Sequence, residues 1–363
     1  MMKRILLISL LLTLCFLPIK AQSNAGVFKL TTPKAVAGEI VKFAYNPKGS
    51  QLTAGQPIKA TVYQYNNYKW VQKSMDLHLR NNEYEGEIHL LPKCAFVGIK
   101  FYQGVFEAPS ASDNNNNNGY IFTPLNAKGL KNPGAAIGMA LLRMPALGSG
   151  ALGYQDNFNN KLETEDLKKI LDEESQISGS DPLNYLEAYI AAQKIIRKDG
   201  ATEYITQWLN KILQRKDLQE DFLSRIRTQF LYVIKDQAKA DSLRKVILQK
   251  YPNGEFARFD DFNNTMKTSK SNKDIISGYE GFLQRFPYQK WLQAPNEQEF
   301  IYYETYRLLA AAYFESGQYK TLLNIIPSLN FKMLNEIYRW NIEKRYILKS
   351  MPADSLLLIA QPL

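Results

Sequence analysis

Apolar and polar residues take turns along the first third of the chain. The stretches "EIVKFAY" (Glu39–Tyr45), "IKATVYQY" (Ile58–Tyr65), "SMDLHLR" (Ser74–Arg80), "EYEGEIHL" (Glu83–Leu90) and "FVGIKFYQG" (Phe96–Gly104) carry β-branched or aromatic residues in alternation, with Gly, Pro and Asn between them. A period of two places alternate side chains on one face of a strand. Short strands at this spacing predict an antiparallel, immunoglobulin-like β-sandwich. One hairpin can be checked by register. With Asn81-Asn82 as a two-residue turn, Leu79 faces Tyr84, Leu77 faces Gly86 and Met75 faces Ile88, which gathers one apolar face. His78 and His89, the two histidines of the chain, fall on the polar face. His89 then lies opposite Ser74, roughly 13 Å from His78 at about 3.3 Å per residue. That is too far to share a metal ion, so both read as solvated strand residues.

The polar run "SASDNNNNNGY" (Ser110–Tyr120) reads as a flexible loop. The glycine-rich stretch Lys128–Gly153 that follows lacks the Gly-Lys-Ser/Thr ending of a phosphate-binding loop. It reads as a linker holding one short packed helix. From Leu162 the apolar period lengthens to that of a helix. Asp181-Pro182 supplies an N-cap with proline at the first helical position, and Gly200 ends the segment. Further helices are predicted over 201–213, 218–234, 238–250, 272–286, 297–315 and 318–326, with a last one near 331–348.

Within this half "LQKYP" (Leu248–Pro252) returns 35 residues later as "LQRFP" (Leu283–Pro287). A period of about 34 residues is the length of a tetratricopeptide helical hairpin, and proline after an apolar residue is how such a second helix stops. In "YRLLAAAYFESGQYKTLL" (Tyr306–Leu323), Tyr306, Leu309, Ala310 and Tyr313 take packing places, with Gly317 and Tyr319 at the turn. That pattern resembles the tetratricopeptide repeat, although Pro327 and Leu322 depart from it. An array of helical hairpins is therefore expected over 162–363. Pro352-Ala353-Asp354 opens another helical segment without a polar terminal repeat, so the array is expected to continue past Leu363.

The N-terminus adds an address. Lys3 and Arg4 precede an apolar run, Ile5–Leu17, and Ala21 ends a cleavage signal. The run is shorter than the roughly 20 residues needed to span a bilayer, so residues 1–21 read as a removed secretory leader. The mature chain is then exported, periplasmic or envelope-associated, without a transmembrane helix. Lipoprotein anchoring through Cys15 is disfavoured by Leu14, where a small residue is wanted. Cleavage would leave Cys94 as the single thiol, so no internal disulfide is expected, and a buried, inert Cys94 is the simpler reading. The net charge is +10, three units of which leave with the leader. The remaining charge is spread along the chain, which argues against nucleic acid as a partner.

Together the pattern divides the chain into a leader (1–21), a β-sandwich domain (22–127), a linker (128–161) and an α-helical repeat domain (162–363): all-β, then all-α. A leader, a sandwich, the connector "NAKGLKNPGAA" and tetratricopeptide-like helices resemble the long exported thioredoxin-like thiol:disulfide interchange proteins of Gram-negative bacteria. Their redox chemistry resides in a Cys-x-x-Cys motif that this chain lacks, and exchange needs a low-pKa thiolate with a resolving partner. The resemblance therefore implies no catalytic residue and no cofactor here. Two functions follow as expectations. One is a non-catalytic envelope scaffold that binds an envelope protein or peptide; the other is the accessory part of a thiol–disulfide oxidoreductase whose active domain lies beyond Leu363. A hydrolase is disfavoured because neither histidine is placed to serve a nucleophile. The adjacent carboxylates Asp172/Glu173 and Asp260/Asp261 point differently and read as solvated surface. Tyr303, Arg307 and Phe314, beside the packing row of their helix, are the candidate partner contacts. The triplet "DSL", at Asp241–Leu243 and Asp354–Leu356, resembles an envelope O-glycosylation acceptor.

Overall fold

The computed structural model describes residues 26–106, 108–148, 158, 162–291 and 296–325. Antiparallel sheets form the first part of the chain and helices the second. One sheet has four strands in the order β1 (Val27–Leu30), β2 (Ile40–Asn46), β6 (Glu83–His89), β5 (His78–Arg80). The other runs β4 (Lys69–Asp76), β3 (Lys59–Asn66), β7 (Cys94–Val105), β8 (Ala108–Asp113), and β9 (Tyr120–Phe122) also pairs with β7. Val41, Phe43, Tyr84 and Ile88 from the first sheet meet Ala60, Val62, Val97, Ile99 and Phe101 from the second in a single core. Alternation is clean on β6, whose residues are buried at every second place. It vanishes on β3 and β7, where both faces are covered. Tyr63, Tyr65 and Phe96 point away from the other sheet and are buried by helix α1 (Ala135–Arg143) and by Phe158. Such near-continuous apolar strands mark a sheet covered on both sides. Gly138 permits the approach: a Cβ there would stand 2.8 Å from the Tyr65 ring.

A buried carboxylate fastens this layer. Glu174, on α2 (Thr164–Gln176), has no exposed surface. It accepts hydrogen bonds from the N–H groups of Gly134 (2.7 Å), Ala136 (3.0 Å) and Ile137 (3.2 Å) and from Ser180 Oγ (2.7 Å). The three N–H groups are donors that the first turn of α1 leaves without intrahelical partners, and the carboxylate faces the positive end of the helix dipole.

The predicted hairpin turn is present, with Asn81 and Asn82 at φ 48° and 63° and Leu79 opposite Tyr84. The pairing expected further along is not. Met75 pairs with Ala60, Ile88 with Val41, and His89 with Ile40 rather than Ser74. The stretch Ser74–Arg80 is two strands in different sheets. Leu77, 8% exposed, is the crossing point, and its N–H bonds Ile58 O at 3.0 Å. A period of two names the face of a side chain but not the neighbouring strand. The polar run also differs from the loop expected there. Its first residues extend β7's partner β8 as far as Asp113; then Asn115, Asn116 and Asn117 turn the chain at φ 52–68°, and β9 begins at Tyr120. Asparagine tolerates this left-handed backbone. Asp113, 3% exposed, accepts from Tyr45 Oη (2.5 Å), Tyr120 Oη (2.7 Å) and Gly26 N (2.7 Å), which holds the run in place.

Compact units divide the chain near Gln207, inside helix α4 (Ala201–Ile212). Preceding it are α2 and α3 (Leu186–Arg197), the latter entered by a 3-10 turn at Pro182–Tyr185 that Asp181 caps. In the second unit follow α5 (Glu220–Thr228), α6 (Gln237–Lys250), α7 (Glu255–Thr268), α8 (Asn272–Arg285), α9 (Asn296–Glu315) and α10 (Tyr319–Ile325). The repeated phrase closes α6 and α8: each helix stops just before Tyr251 or Phe286, with proline next. α7 is absent from the predicted set. Its buried residues are Ala257, Arg258, Phe262 and Thr265, while Phe259 and Met266 are about half exposed. Off-stripe apolar residues blur the helical period, and two asparagines and two threonines lower propensity. The helix expected near 331–348 lies outside the described residues. Among the described residues no helix is long and apolar enough to cross a membrane.

Candidate functional site

A concave surface of the helical unit is built around α7. Gln219 enters α5 in extended conformation, Glu220 and Asp221 occupy the first turn, and Leu223 and Ile226 face the core. The helix then widens into a π-helical turn, Gln229–Ile234, closed by Lys235 in left-handed conformation. The N–H of Asp236 returns to Phe230 O at 2.9 Å. π-turns recur at functional sites because the inserted residue re-aims a side chain. Here Phe230 is buried and Tyr232 is 72% exposed. Glu220 also reaches the start of α7, accepting from Phe256 N (2.7 Å) and Glu255 N (3.2 Å). Gly254 leaves room for it: a Cβ there would lie 2.2 Å from the carboxylate oxygens. A carboxylate at a helix N-terminus is favourable for the same dipole reason as Glu174.

Two hollows of about 620 and 650 Å³ adjoin on this surface and share Arg227, Tyr232, Phe256 and Phe259. Phe259 is 53% exposed, so two aromatic rings stand open to solvent at the junction. The Arg227 guanidinium lies 5.4 Å from the centre of the Phe256 ring, a cation–π distance. Several of the other charges are tied into the framework. Arg244 grips Asp260 through two 2.6 Å bonds, which hold its guanidinium above the usual arginine range. Asp241 accepts from Gln237 at 2.9 Å. Arg258, without exposed surface, lies 3.9 Å over the Trp291 ring and 5.5 Å from that of Tyr302, whose phenol is pushed up to about 12 by burial. The lining contains neither histidine nor cysteine, and its rings and guanidinium groups are chemistry for holding a ligand.

No family model, curated protein or solved structure matches the chain. The site must be read from its own groups.

The contacts expected from sequence lie elsewhere. Phe314 is 9% exposed and belongs to the core cluster that also holds Phe282, Tyr302 and Leu309, so it is a core residue and not a surface contact. Arg307 is half-buried and bonds Glu304 on its own helix at 2.7 to 3.2 Å. Tyr303 is half-buried. None of the three lines the paired hollows, to which α9 contributes Ile301. Ala21 lies outside the described residues. His78 and His89 are both exposed. His78 borders a 340 Å³ dent with Asp76, Arg80, Glu85 and Glu87. Among the described residues no group of three His, Cys, Asp or Glu is placed to hold a metal ion. Cys94 is fully buried, its Sγ 3.6 Å from Phe96 O, and desolvation pushes the thiol up to about 12. Asp172 is exposed, as expected, but the other three carboxylates are paired: Asp260 with Arg244, Asp261 with Arg285 at 2.7 Å, and Glu173 with Lys131. The first "DSL" triplet sits within α6 with Leu243 buried; the second lies outside the described residues.

Sequence reading passed over Tyr232, Phe256 and Phe259. One signal was available: "FARFDDF" places Phe256, Phe259 and Phe262 three apart, and one helix stripe cannot bury all of them beside Ala257.

Proposed function

We propose that this chain is an exported, non-catalytic binding protein whose helical half docks a segment of a partner protein in the cell envelope. The observation that carries this reading is the pair of adjoining hollows with Tyr232 and Phe259 exposed at their junction. Solvent-exposed rings in a concave surface are what a protein interface uses as anchors. Export rests on the basic, then apolar, leader ending at Ala21. Two features of the architecture support a binding scaffold. Lettered along the chain, β1 to β8 become A, B, C, C′, D, E, F and G, giving sheets A-B-E-D and C′-C-F-G, the strand order of an immunoglobulin-like sandwich. In the helical unit α5 packs on α6, α7 lies against both, α8 against α7, α9 against α8 and α10 against α9. That succession suits a tetratricopeptide-like array of hairpins, in which shared burial leaves an open surface for a ligand.

Site-specific photocrosslinking tests the proposal. With a benzoylphenylalanine at Phe259, cells of a Gram-negative host should give an adduct of discrete mass, and the same probe at Val246 should not. Equal labelling at both positions, or none at either, would sink it.

The second reading is an accessory region of a thioredoxin-like thiol–disulfide oxidoreductase. Its motivation is the architectural resemblance; Cys94, buried and of raised pKa, is a poor exchange thiol, so this reading calls for a separate redox domain. Translation of the coding DNA past Leu363 decides it, since this reading requires Cys-x-x-Cys there.

A further inference from the structure

The charges around the paired hollows are unequally committed. Arg244 and Asp260 neutralise each other, Arg258 is buried beneath Trp291 and Tyr302, and Glu220 serves the start of α7. Arg227 belongs to both hollows and makes no ion pair among the described residues; its Nε is buried without a hydrogen-bond partner. In the same hollow as Arg244, Lys267 is exposed and likewise has no ion pair among the described residues. That hollow holds three cations, Arg227, Arg244 and Lys267, against two carboxylates, Asp241 and Asp260, while the adjoining one sets Arg227 and Arg258 against Glu220, Asp221 and Glu255. Arg227 itself, and not a net positive surface, is therefore what a ligand's charge would meet. It is a half-buried cation without an ion pair among the described residues, lining the same hollows as the exposed Tyr232 and Phe259.

We infer that the junction recognises a linear peptide segment in which an aspartate or glutamate neighbours an aromatic residue, the carboxylate seated on Arg227 and the ring against Phe259 and Tyr232. This rests on the docking reading above and adds the chemistry of the occupant. A guanidinium presents two parallel donors that match a carboxylate. Laid over Phe256, it is oriented before the ligand arrives and loses less freedom on binding. The two hollows adjoin and are open, which suits an extended chain segment laid across both. Charge at an uncommitted arginine and area at exposed rings are complementary to an acidic and aromatic pair, and to neither alone.

The test uses the chain from Gln22 onward and a random dodecapeptide library displayed on phage, with fluorescence anisotropy on the selected peptides. Recovered sequences should be enriched in acidic–aromatic pairs. Changing the acid of a selected peptide to its amide should weaken binding about tenfold, the scale of a lost charged hydrogen bond. Arg227→Gln should cause the same loss, Arg227→Lys a smaller one, and the amide peptide should lose nothing further on Arg227→Gln. Phe259→Ser should weaken every selected peptide, and Val246→Ser none. Peptides that depend on Phe259 but ignore Arg227 and the acid overturn the carboxylate assignment and leave the docking reading standing. If no peptide is selected, or the peptides ignore both positions, both proposals fail. Self-association abolished by Arg227→Gln, without peptide binding, would assign the surface to a second copy and overturn the inference. Because the peptide-side exchange requires no change in the protein, a folding defect in one variant cannot decide the outcome.

Discussion

At the scale of single residues, Glu174 carries an unusual load. Its two oxygens accept four hydrogen bonds, three of them from the opening turn of α1. Glu174→Gln would keep the shape and turn an NH₂ group toward at least one N–H or hydroxyl donor. A buried donor left facing a donor costs about 1–3 kcal/mol, so the variant should unfold at lower denaturant with a loss of about 2 kcal/mol in the unit that carries the sheets. An unchanged midpoint would mean that water takes over the cap. Nothing in "LDEESQ" marks Glu174 out from Glu173, which faces solvent and pairs with Lys131. Adjacent helical residues differ by about 100° around the axis, and only the position of α1 decides which of the two is buried.

At the scale of elements, a missing side chain and a carboxylate set the start of α7. Gly254 has φ −81° and ψ −178°, a backbone that alanine accepts without strain. Gly254→Ala should nonetheless destabilise by about 1 kcal/mol, because its Cβ would evict the Glu220 carboxylate from the first turn of α7. In a Glu220→Ala background the same change should become neutral or stabilising, since alanine restricts the unfolded chain. Equal effects in both backgrounds, measured by urea unfolding, would count against the contact. The turn between β3 and β4 shows the same dependence on surroundings. Tyr68 holds φ 62°, uncommon for a bulky residue, while its ring stacks on Tyr185 at 5.8 Å and its hydroxyl bonds Ser180 Oγ at 3.3 Å. Local propensity does not foretell that turn, and β4 therefore begins earlier than its alternation suggests. Tyr232 and α7 were illegible for a related reason: a π-turn leaves no periodic trace, and a helix that puts aromatic residues outside its buried stripe loses the pattern by which helices are recognised.

At the scale of the whole molecule, buried tyrosines set a limit at high pH. Burial raises the phenols of Tyr45, Tyr120, Tyr185, Tyr189, Tyr302 and Tyr313, and for Tyr45 and Tyr120 the hydrogen bonds to Asp113 add to it. A phenol whose folded pKa exceeds its unfolded value favours the neutral, folded state. The stability it contributes is complete below the unfolded value of about 10 and is lost as pH rises above it. Circular dichroism should therefore collapse in a cooperative alkaline transition above about pH 10, and a step in tyrosinate absorbance should coincide with it. Gradual ionisation with both units intact would contradict the buried network.

Alternation of two, then a helical period, together with the doubled "LQKYP"/"LQRFP" phrase, determined that strands precede helices and where α6 and α8 stop. The Asn81-Asn82 turn was legible too, because positive φ at two successive residues is a local demand that asparagine meets. All of these depend on a residue and its near neighbours along the chain. Which strand adjoins which, the burial of both faces of β3 and β7, the partnership of Glu174 with α1, and the meeting of Arg227, Tyr232, Phe256 and Phe259 were decided by tertiary structure alone. Those features join residues far apart in the chain, and burial at a distance leaves no period in the sequence to be read.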